Sequence, residues 1–109
     1  ASQVLAKSGL EPRLMIDASH ANSGKNPDNQ PAVIEDIAAQ LEAGETRIIG
    51  VMVESNLVAG QQSLVTGQPL VYGQSVTDGC IGWDVSAAVL ERLAQAVRVR
   101  RATAAAKAA

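Results

Sequence analysis

Two apolar runs in this sequence each lead to a side chain that can bind a metal ion. One run begins at Leu14 and ends on His20, and the other begins at Ile48 and ends on Glu54. A buried strand has no reason to finish on histidine or glutamate unless its end opens into a site, and residues at the carboxyl ends of parallel strands commonly do chemistry. Asp78 follows in a long loop that is expected to fold back over those ends. An imidazole and two carboxylates suit a divalent ion such as Mn, Fe, Co or Zn, which makes these three residues the candidate catalytic and metal-ligating set.

Each member of this set also has a purely structural interpretation. His20 could be held by hydrogen bonds to the backbone of its loop, and Asp78 lies in a Thr-Asp-Gly sequence that is ordinary turn chemistry. Glu54 could be a solvated strand terminus. Four of the five residues before Glu54 are apolar, however, and a carboxylate near a buried layer needs a cation or hydrogen-bond donors to offset its desolvation.

Three further residues near these motifs could take part in a site. Asp17 could orient His20 as a hydrogen-bond acceptor. Cys80 lies close to Asp78 in sequence and could be a fourth ligand, although a lone cysteine beside an Ile-Gly-Trp run is more often a small buried hydrophobe. Lys25 could meet a phosphate, but the sequence around it has neither common phosphate-loop pattern, which favours a solvated lysine.

The elements that must position these side chains form a β-α-β pattern. Residues 2–10 have a short helical pattern, and residues 13–18 and 46–54 are apolar runs without polar alternation, which predicts strands covered on both faces. A helix between the two strands is predicted from apolar residues at helical spacing, namely Ile34, Ile37, Ala38 and Leu41. A helix between two such strands predicts parallel pairing with a right-handed crossover.

A long loop and one more helix complete the predicted order. Residues 55–82 have no convincing helical pattern, and a connection of that length is usually a lid or binding loop. Asp84 or Ser86 is predicted to cap a final helix that fades after Arg101. Residues 102–109 are almost all alanine and are expected to form a frayed extension or a disordered tail.

The predicted fold class is α/β, but two parallel strands cannot make a complete sheet. They leave two unpaired edges and one uncovered apolar face, and isolated sheets normally need more strands than that. Residues 1–101 are therefore expected to be a fragment of a larger domain or to complete their sheet with another chain. A module that self-associates through its open edges, without catalysis, is the alternative interpretation.

Composition excludes several classes of function. The net charge of −2 argues against a nucleic-acid-binding surface, and the cluster of Arg98, Arg100 and Arg101 is better explained by the last turns of a helix. Cys80 is the only cysteine and cannot form an internal disulfide. No apolar stretch approaches the ~18 residues of a membrane span, and residues 1–9 do not resemble a signal peptide. We therefore expect a cytoplasmic protein with neither a membrane nor a nucleic-acid partner.

Three segments of the sequence together resemble the C-terminal third of type I 3-deoxy-D-arabino-heptulosonate 7-phosphate (DAHP) synthases. They are Met-Ile-Asp-Ala-Ser-His-Ala-Asn-Ser at 15–23, Ile-Ile-Gly-Val-Met-Val-Glu-Ser-Asn-Leu at 48–57, and Ser-Val-Thr-Asp-Gly-Cys-Ile-Gly-Trp at 75–83. The resemblance extends from about Pro12 to Arg101. Three long motifs in the right order are much more specific than any one of them.

The resemblance implies that this chain supplies the last two strands, with their helices, of a (β/α)8 TIM barrel. Family enzymes condense phosphoenolpyruvate with erythrose 4-phosphate, using a divalent metal, in the first step of the shikimate pathway. His20, Glu54 and Asp78 match three of the four metal ligands of the family, and His20 would also lie next to phosphoenolpyruvate. The fourth ligand is a cysteine on an early strand that this chain lacks, and Cys80 matches a different family position.

The resemblance also implies that the chain does not work alone. Most of the phosphate-binding arginines and lysines of the family lie on earlier strands, so we expect the fragment to be inactive by itself and the complete enzyme to be a homo-oligomer. A different metal-dependent barrel aldolase would share ligands at strand ends but not the three motifs.

Overall fold

The elements follow one another in the predicted order. The computed structural model describes residues 1–108, and within them it contains three α-helices, two strands and two short 3₁₀ turns. In chain order these are α1 (Ser2–Lys7), β1 (Leu14–Asp17), the turns Ala21–Ser23 and Pro27–Asn29, α2 (Gln30–Glu42), β2 (Ile48–Met52) and α3 (Trp83–Ala108). No helix among these described residues has the length and apolar character needed to cross a bilayer.

The two strands pair in parallel, which confirms the β-α-β prediction. Leu14 aligns with Ile48, and after an irregularity in register Asp17 aligns with Met52. Both strands are shorter than the apolar runs that predicted them. Their carboxyl ends lie side by side, and the backbone N–H of Ala18 still donates to the carbonyl of Met52 at 2.9 Å. The segments that follow the two strands therefore start from the same edge of the sheet.

Helix α2 covers one face of the sheet and supplies more of the buried core than any other element. The predicted apolar stripe is buried as expected, and it packs with residues of β2 and α3; the buried set includes Ile34, Ile37, Ala38, Leu41, Ile48, Val89 and Ala96. An ion pair on the surface joins the two long helices, since the guanidinium of Arg92 in α3 lies 2.9 Å from the carboxylate of Glu35 in α2. Apolar burial, which stabilises by roughly 25 cal/mol per Å², is the main force holding α2 in place.

The opposite face of the sheet is bare, so the prediction of strands covered on both faces is wrong for this chain by itself. Met15 is 70% exposed and Ile49 is 67% exposed. Gly50 lies beside Met15, since a Cβ at that position would lie 3.4 Å from the Met15 methyl group. Among residues 1–108, these two apolar side chains are left largely exposed to solvent.

Helix α3 differs from the prediction at both of its ends. It begins at Trp83, so Asp84 and Ser86 both lie inside its first turn and neither caps it; the hydroxyl of Ser86 donates to the carbonyl of Gly82 at 2.7 Å. The helix does not fade after Arg101 but continues to Ala108, so these residues extend the helix, as one of the two alternatives for this stretch expected; Ala109 lies outside the described range. Alanine has the highest intrinsic helix propensity, and this stretch contains no glycine or proline to stop the helix.

The long loop at 55–82 contains no helix and only isolated backbone bridges, as its sequence predicted. It folds back on itself. Gly60 and Cys80 pair in an antiparallel bridge, and the N–H of Ile81 donates to the carbonyl of Glu54 at 3.0 Å. The two ends of the loop are therefore joined directly beside the end of β2, which returns the residues before Ile81 to the edge of the sheet.

Candidate metal centre

Three predicted site residues converge at the carboxyl edge of the sheet. His20 follows β1, Glu54 follows β2, and Asp78 is returned to the same place by the closed base of the long loop. The His20 Nε2 atom lies 3.5 Å from Glu54 Oε1 and 3.7 Å from Asp78 Oδ2. One ligand atom from each residue lies within 4.8 Å of the others. Ligand atoms bonded to one ion at about 2.0–2.3 Å are separated by similar distances, so the arrangement fits a single divalent cation.

The site is an open cavity of about 220 Å³. His20 is half exposed, whereas Glu54 is mostly covered, with 21% of its side chain exposed. Lys25 also lines this cavity, next to the candidate ligands. Its backbone is left-handed, with φ of 61°, and its N–H donates to the His20 carbonyl at 2.8 Å. The turn after β1 therefore bends back toward His20 and places the positively charged Lys25 beside the cavity.

The imidazole of His20 is oriented by a neighbouring carboxylate. Its Nδ1 atom lies 2.8 Å from Asp17 Oδ2, and the other oxygen of Asp17 accepts a hydrogen bond from the Ser19 N–H at 2.8 Å. This hydrogen bond between the side chains raises the pKa of His20 and lowers the pKa of Asp17. Because Asp17 occupies Nδ1, the Nε2 atom is left facing Glu54 and Asp78, which is the arrangement that favours metal binding through Nε2.

Two residues that the sequence did not single out hold Glu54. The hydroxyl of Ser19 donates to Glu54 Oε1. The side-chain amide of Gln30, which is fully buried at the start of α2, bonds to both backbone groups of Glu54: Oε1 accepts from the N–H at 2.9 Å and Nε2 donates to the carbonyl at 3.0 Å. The one feature of the sequence that could have identified Gln30 is its position at the start of the helix that connects the two strands.

Cys80 lies apart from the converging ligands. It is buried, its Sγ atom is 3.6 Å from the backbone carbonyl of Asp78, and burial raises the pKa of its thiol. Deprotonation to the thiolate that binds metal is therefore disfavoured. These features support the interpretation of Cys80 as a small buried hydrophobe.

The contact between Asp17 and His20 predicts a specific pH dependence. In the metal-free chain, Asp17→Asn should lower the pKa of His20 toward its ordinary value, because the charged acceptor that favours the imidazolium is lost. The stabilisation from this contact is complete below the pKa of an unfolded histidine and is lost as pH rises through the raised native value. Since His20 is the only histidine, its ring protons can be followed by NMR in the presence of a chelator. Asp36→Asn, on the exposed surface of α2, should leave the midpoint unchanged, whereas equal midpoints in all three proteins would contradict the assignment.

Comparison with known proteins identifies the family. A model of the DAHP synthetase I family matches residues 1–91. The Phe-sensitive phospho-2-dehydro-3-deoxyheptonate aldolase of Escherichia coli K12 is 55% identical over 97 residues, which is 89% of this chain and 28% of that protein. The phospho-2-dehydro-3-deoxyheptonate aldolase of Corynebacterium glutamicum is 50% identical over 108 residues, or 93% of this chain and 30% of that protein.

A solved structure agrees with these sequence matches. The phospho-2-dehydro-3-deoxyheptonate aldolase of Francisella tularensis SCHU S4 superposes with a TM-score of 0.82 at 47% identity, over 88% of this chain and 28% of that one. The chain thus spans less than a third of the length of these relatives. The family match begins before the predicted Pro12 and ends before the predicted Arg101, and it includes all three motifs that carried the resemblance. The chain belongs to the DAHP synthetase I family.

Proposed function

We propose that this chain is the C-terminal portion of a DAHP synthase, and that it carries three of the metal ligands of the active site. The complete enzyme condenses phosphoenolpyruvate with erythrose 4-phosphate, yielding DAHP and phosphate in the first step of the shikimate pathway. The observation that carries the proposal is the convergence of His20, Glu54 and Asp78 within 4.8 Å, in a chain of this family. The two strands are proposed to be the last two of a (β/α)8 barrel.

The residues present fit a divalent cation. Glu54 and Asp78 direct two carboxylates toward the same atom of His20, and such a pair is unfavourable unless a positive charge lies between them. One nitrogen and two oxygen donors are compatible with Mn, Fe, Co or Zn. The family resemblance implies a fourth ligand, a cysteine on an earlier strand of the complete enzyme.

The residues of this chain prepare the site for the reaction. A bound divalent ion would supply Lewis acidity toward the sugar aldehyde or would orient a water molecule. Asp17 holds the ring of His20 in one orientation, and Ser19 holds one carboxylate oxygen of Glu54. His20 would lie beside phosphoenolpyruvate, whose enol carbon attacks the aldehyde carbon of the sugar. Water then adds at the neighbouring carbon and phosphate leaves.

The bare face of the sheet supports the proposal that the chain needs the rest of the protein. The exposed side chains of Met15 and Ile49 are apolar, as expected for residues that become buried in a barrel once the other strands are present. Lys25 is the sole lysine or arginine lining the cavity among residues 1–108. One lysine is too little positive charge to hold two phosphorylated substrates, so other parts of the enzyme must supply the remainder.

An assay of the full-length protein tests this function. With phosphoenolpyruvate and erythrose 4-phosphate it should form DAHP and release an equal amount of phosphate. A chelator should abolish the reaction, and added Mn²⁺ should restore it, whereas the same chelator already saturated with Mn²⁺ should have no effect. A full-length protein that makes no DAHP with any of the four metals, or that keeps its rate after the metal has been removed completely, would contradict the proposal.

A further inference from the structure

We propose that Gln30 is a positioning residue for Glu54, and that its side-chain amide sets the affinity of the site for a divalent ion. Gln30 has no contact with the cavity itself among those the structure describes. It acts on the backbone of a ligand and not on the metal. The inference rests on the proposed function, because it assumes that Glu54 is a metal ligand.

The two hydrogen bonds between Gln30 and Glu54 restrict both the position and the orientation of the Glu54 backbone. A planar amide group meets both the N–H and the carbonyl of one residue, at 2.9 and 3.0 Å. Glu54 lies two residues beyond the end of β2 at Met52, so the regular ladder of the sheet no longer holds it. The other backbone contact is the donation from Ile81 to the Glu54 carbonyl. Gln30 is thus the sole partner of the Glu54 N–H in the described chain.

The same helix terminus also contacts the turn that carries His20. Asn29, immediately before Gln30, donates from its side chain to the carbonyl of Ser23 at 3.0 Å. Ser23 in turn bonds back to the carbonyls of Ser19 and His20. The start of α2 therefore contacts both strand-end segments, and it fixes where Glu54 lies relative to His20.

A packing role would not require an amide at position 30. Gln30 is 0% exposed, and burying a glutamine costs free energy that an apolar residue of the same length avoids, unless its polar atoms are paired. Methionine has nearly the same length and would fill the volume equally well. A glutamine here is explained by its two hydrogen bonds, whose effect is to hold Glu54 at a defined position.

The test is the affinity of the full-length protein for Mn²⁺, with the metal alone as the probe and free Mn²⁺ measured by electron paramagnetic resonance. Gln30→Met removes both hydrogen bonds, and we expect the dissociation constant to rise about 10- to 100-fold, which is the range found when a partner of a metal ligand is lost. Ile34→Val is the matched control, since Ile34 is equally buried in the same helix and lacks any bond to Glu54. Its affinity should equal that of the wild type.

The outcomes separate this inference from the proposed function. Wild-type affinity in a folded Gln30→Met protein, with reduced affinity in His20→Ala, would overturn the role of Gln30 and leave the metal site in place. Equal affinity in the wild type and His20→Ala would instead overturn the metal site. If Gln30→Met does not fold, Gln30→Asn serves in its place. It keeps an amide but is one methylene too short to reach Glu54, so weaker binding supports the role of Gln30 and wild-type binding overturns it.

Discussion

Replacing His20 by alanine in the full-length protein is expected to abolish both metal retention and turnover. His20 supplies the only nitrogen donor of the cluster, and its Nε2 atom faces both carboxylates. Without it, only Glu54 and Asp78 remain of the three candidate ligands in this chain, beside the cysteine that the family resemblance implies on an earlier strand. A metal contributes several kcal/mol of transition-state stabilisation, and each 1.36 kcal/mol is a factor of ten in rate. We therefore expect a loss of about 10³-fold or more in the rate of DAHP formation.

Metal content and rate should be measured on the same preparations of this variant. Asp28→Ala is a suitable control, because Asp28 is an exposed acidic residue of the same loop and lies outside the cluster. It should retain both the metal and the rate. A His20→Ala protein with unchanged metal content and unchanged rate would defeat the assignment of the site.

The 109-residue chain by itself is expected to form no measurable DAHP. It lacks the phosphate-binding arginines and lysines that the family resemblance places on earlier strands, together with the cysteine ligand. Losing a phosphate clamp and one ligand removes several kcal/mol of transition-state stabilisation, which is enough to bring turnover below detection. Titration with Mn²⁺ should show weaker binding to the chain alone than to the full-length protein. Turnover by the isolated chain at the full-length rate would contradict this expectation.

The molecular mass of the isolated chain in solution tests the alternative of a self-associating module. Its exposed Met15 and Ile49 side chains and its open strand edges would be buried if copies paired. Sedimentation showing a stable oligomer of the chain alone would support that alternative. A folded chain that remains strictly monomeric would count against it. The complete enzyme is expected to be a homo-oligomer, and the same measurement on the full-length protein checks this separately.

Local sequence patterns predicted the elements that position the site. The apolar stripe of α2 identified Ile34 and Leu41 as core residues, and both are buried. The two apolar runs predicted parallel strands whose ends lie together, which the pairing of Asp17 with Met52 confirms. These predictions are confirmed because an element with a buried face has apolar residues at a regular spacing in its sequence.

Other features could not be predicted because they depend on contacts that local sequence patterns do not record. The hydrogen bonds between Gln30 and Glu54 join residues 24 apart in sequence. A polar residue at the start of a helix does not indicate which residue it contacts. The apolar runs suggested strands covered on both faces, but Met15 is exposed in this chain. The end of α3 was misjudged because the alanines of 102–108 have no side-chain pattern, although they favour helix strongly.

Because of the hydrogen bond from Ile81 to Glu54, the length of the long loop does not determine where the candidate metal ligands lie. Because the base of the loop is clasped there, the position of Asp78 depends on a few residues near the clasp and not on the tip, where Leu64 is 73% exposed and Gly67 has a left-handed backbone. Doubling the length of a flexible loop costs only about 0.6 kcal/mol in closure entropy. Homologues are thus free to gain or lose residues at the tip, and a reporter group could be inserted there, without separating the carboxylates that face His20.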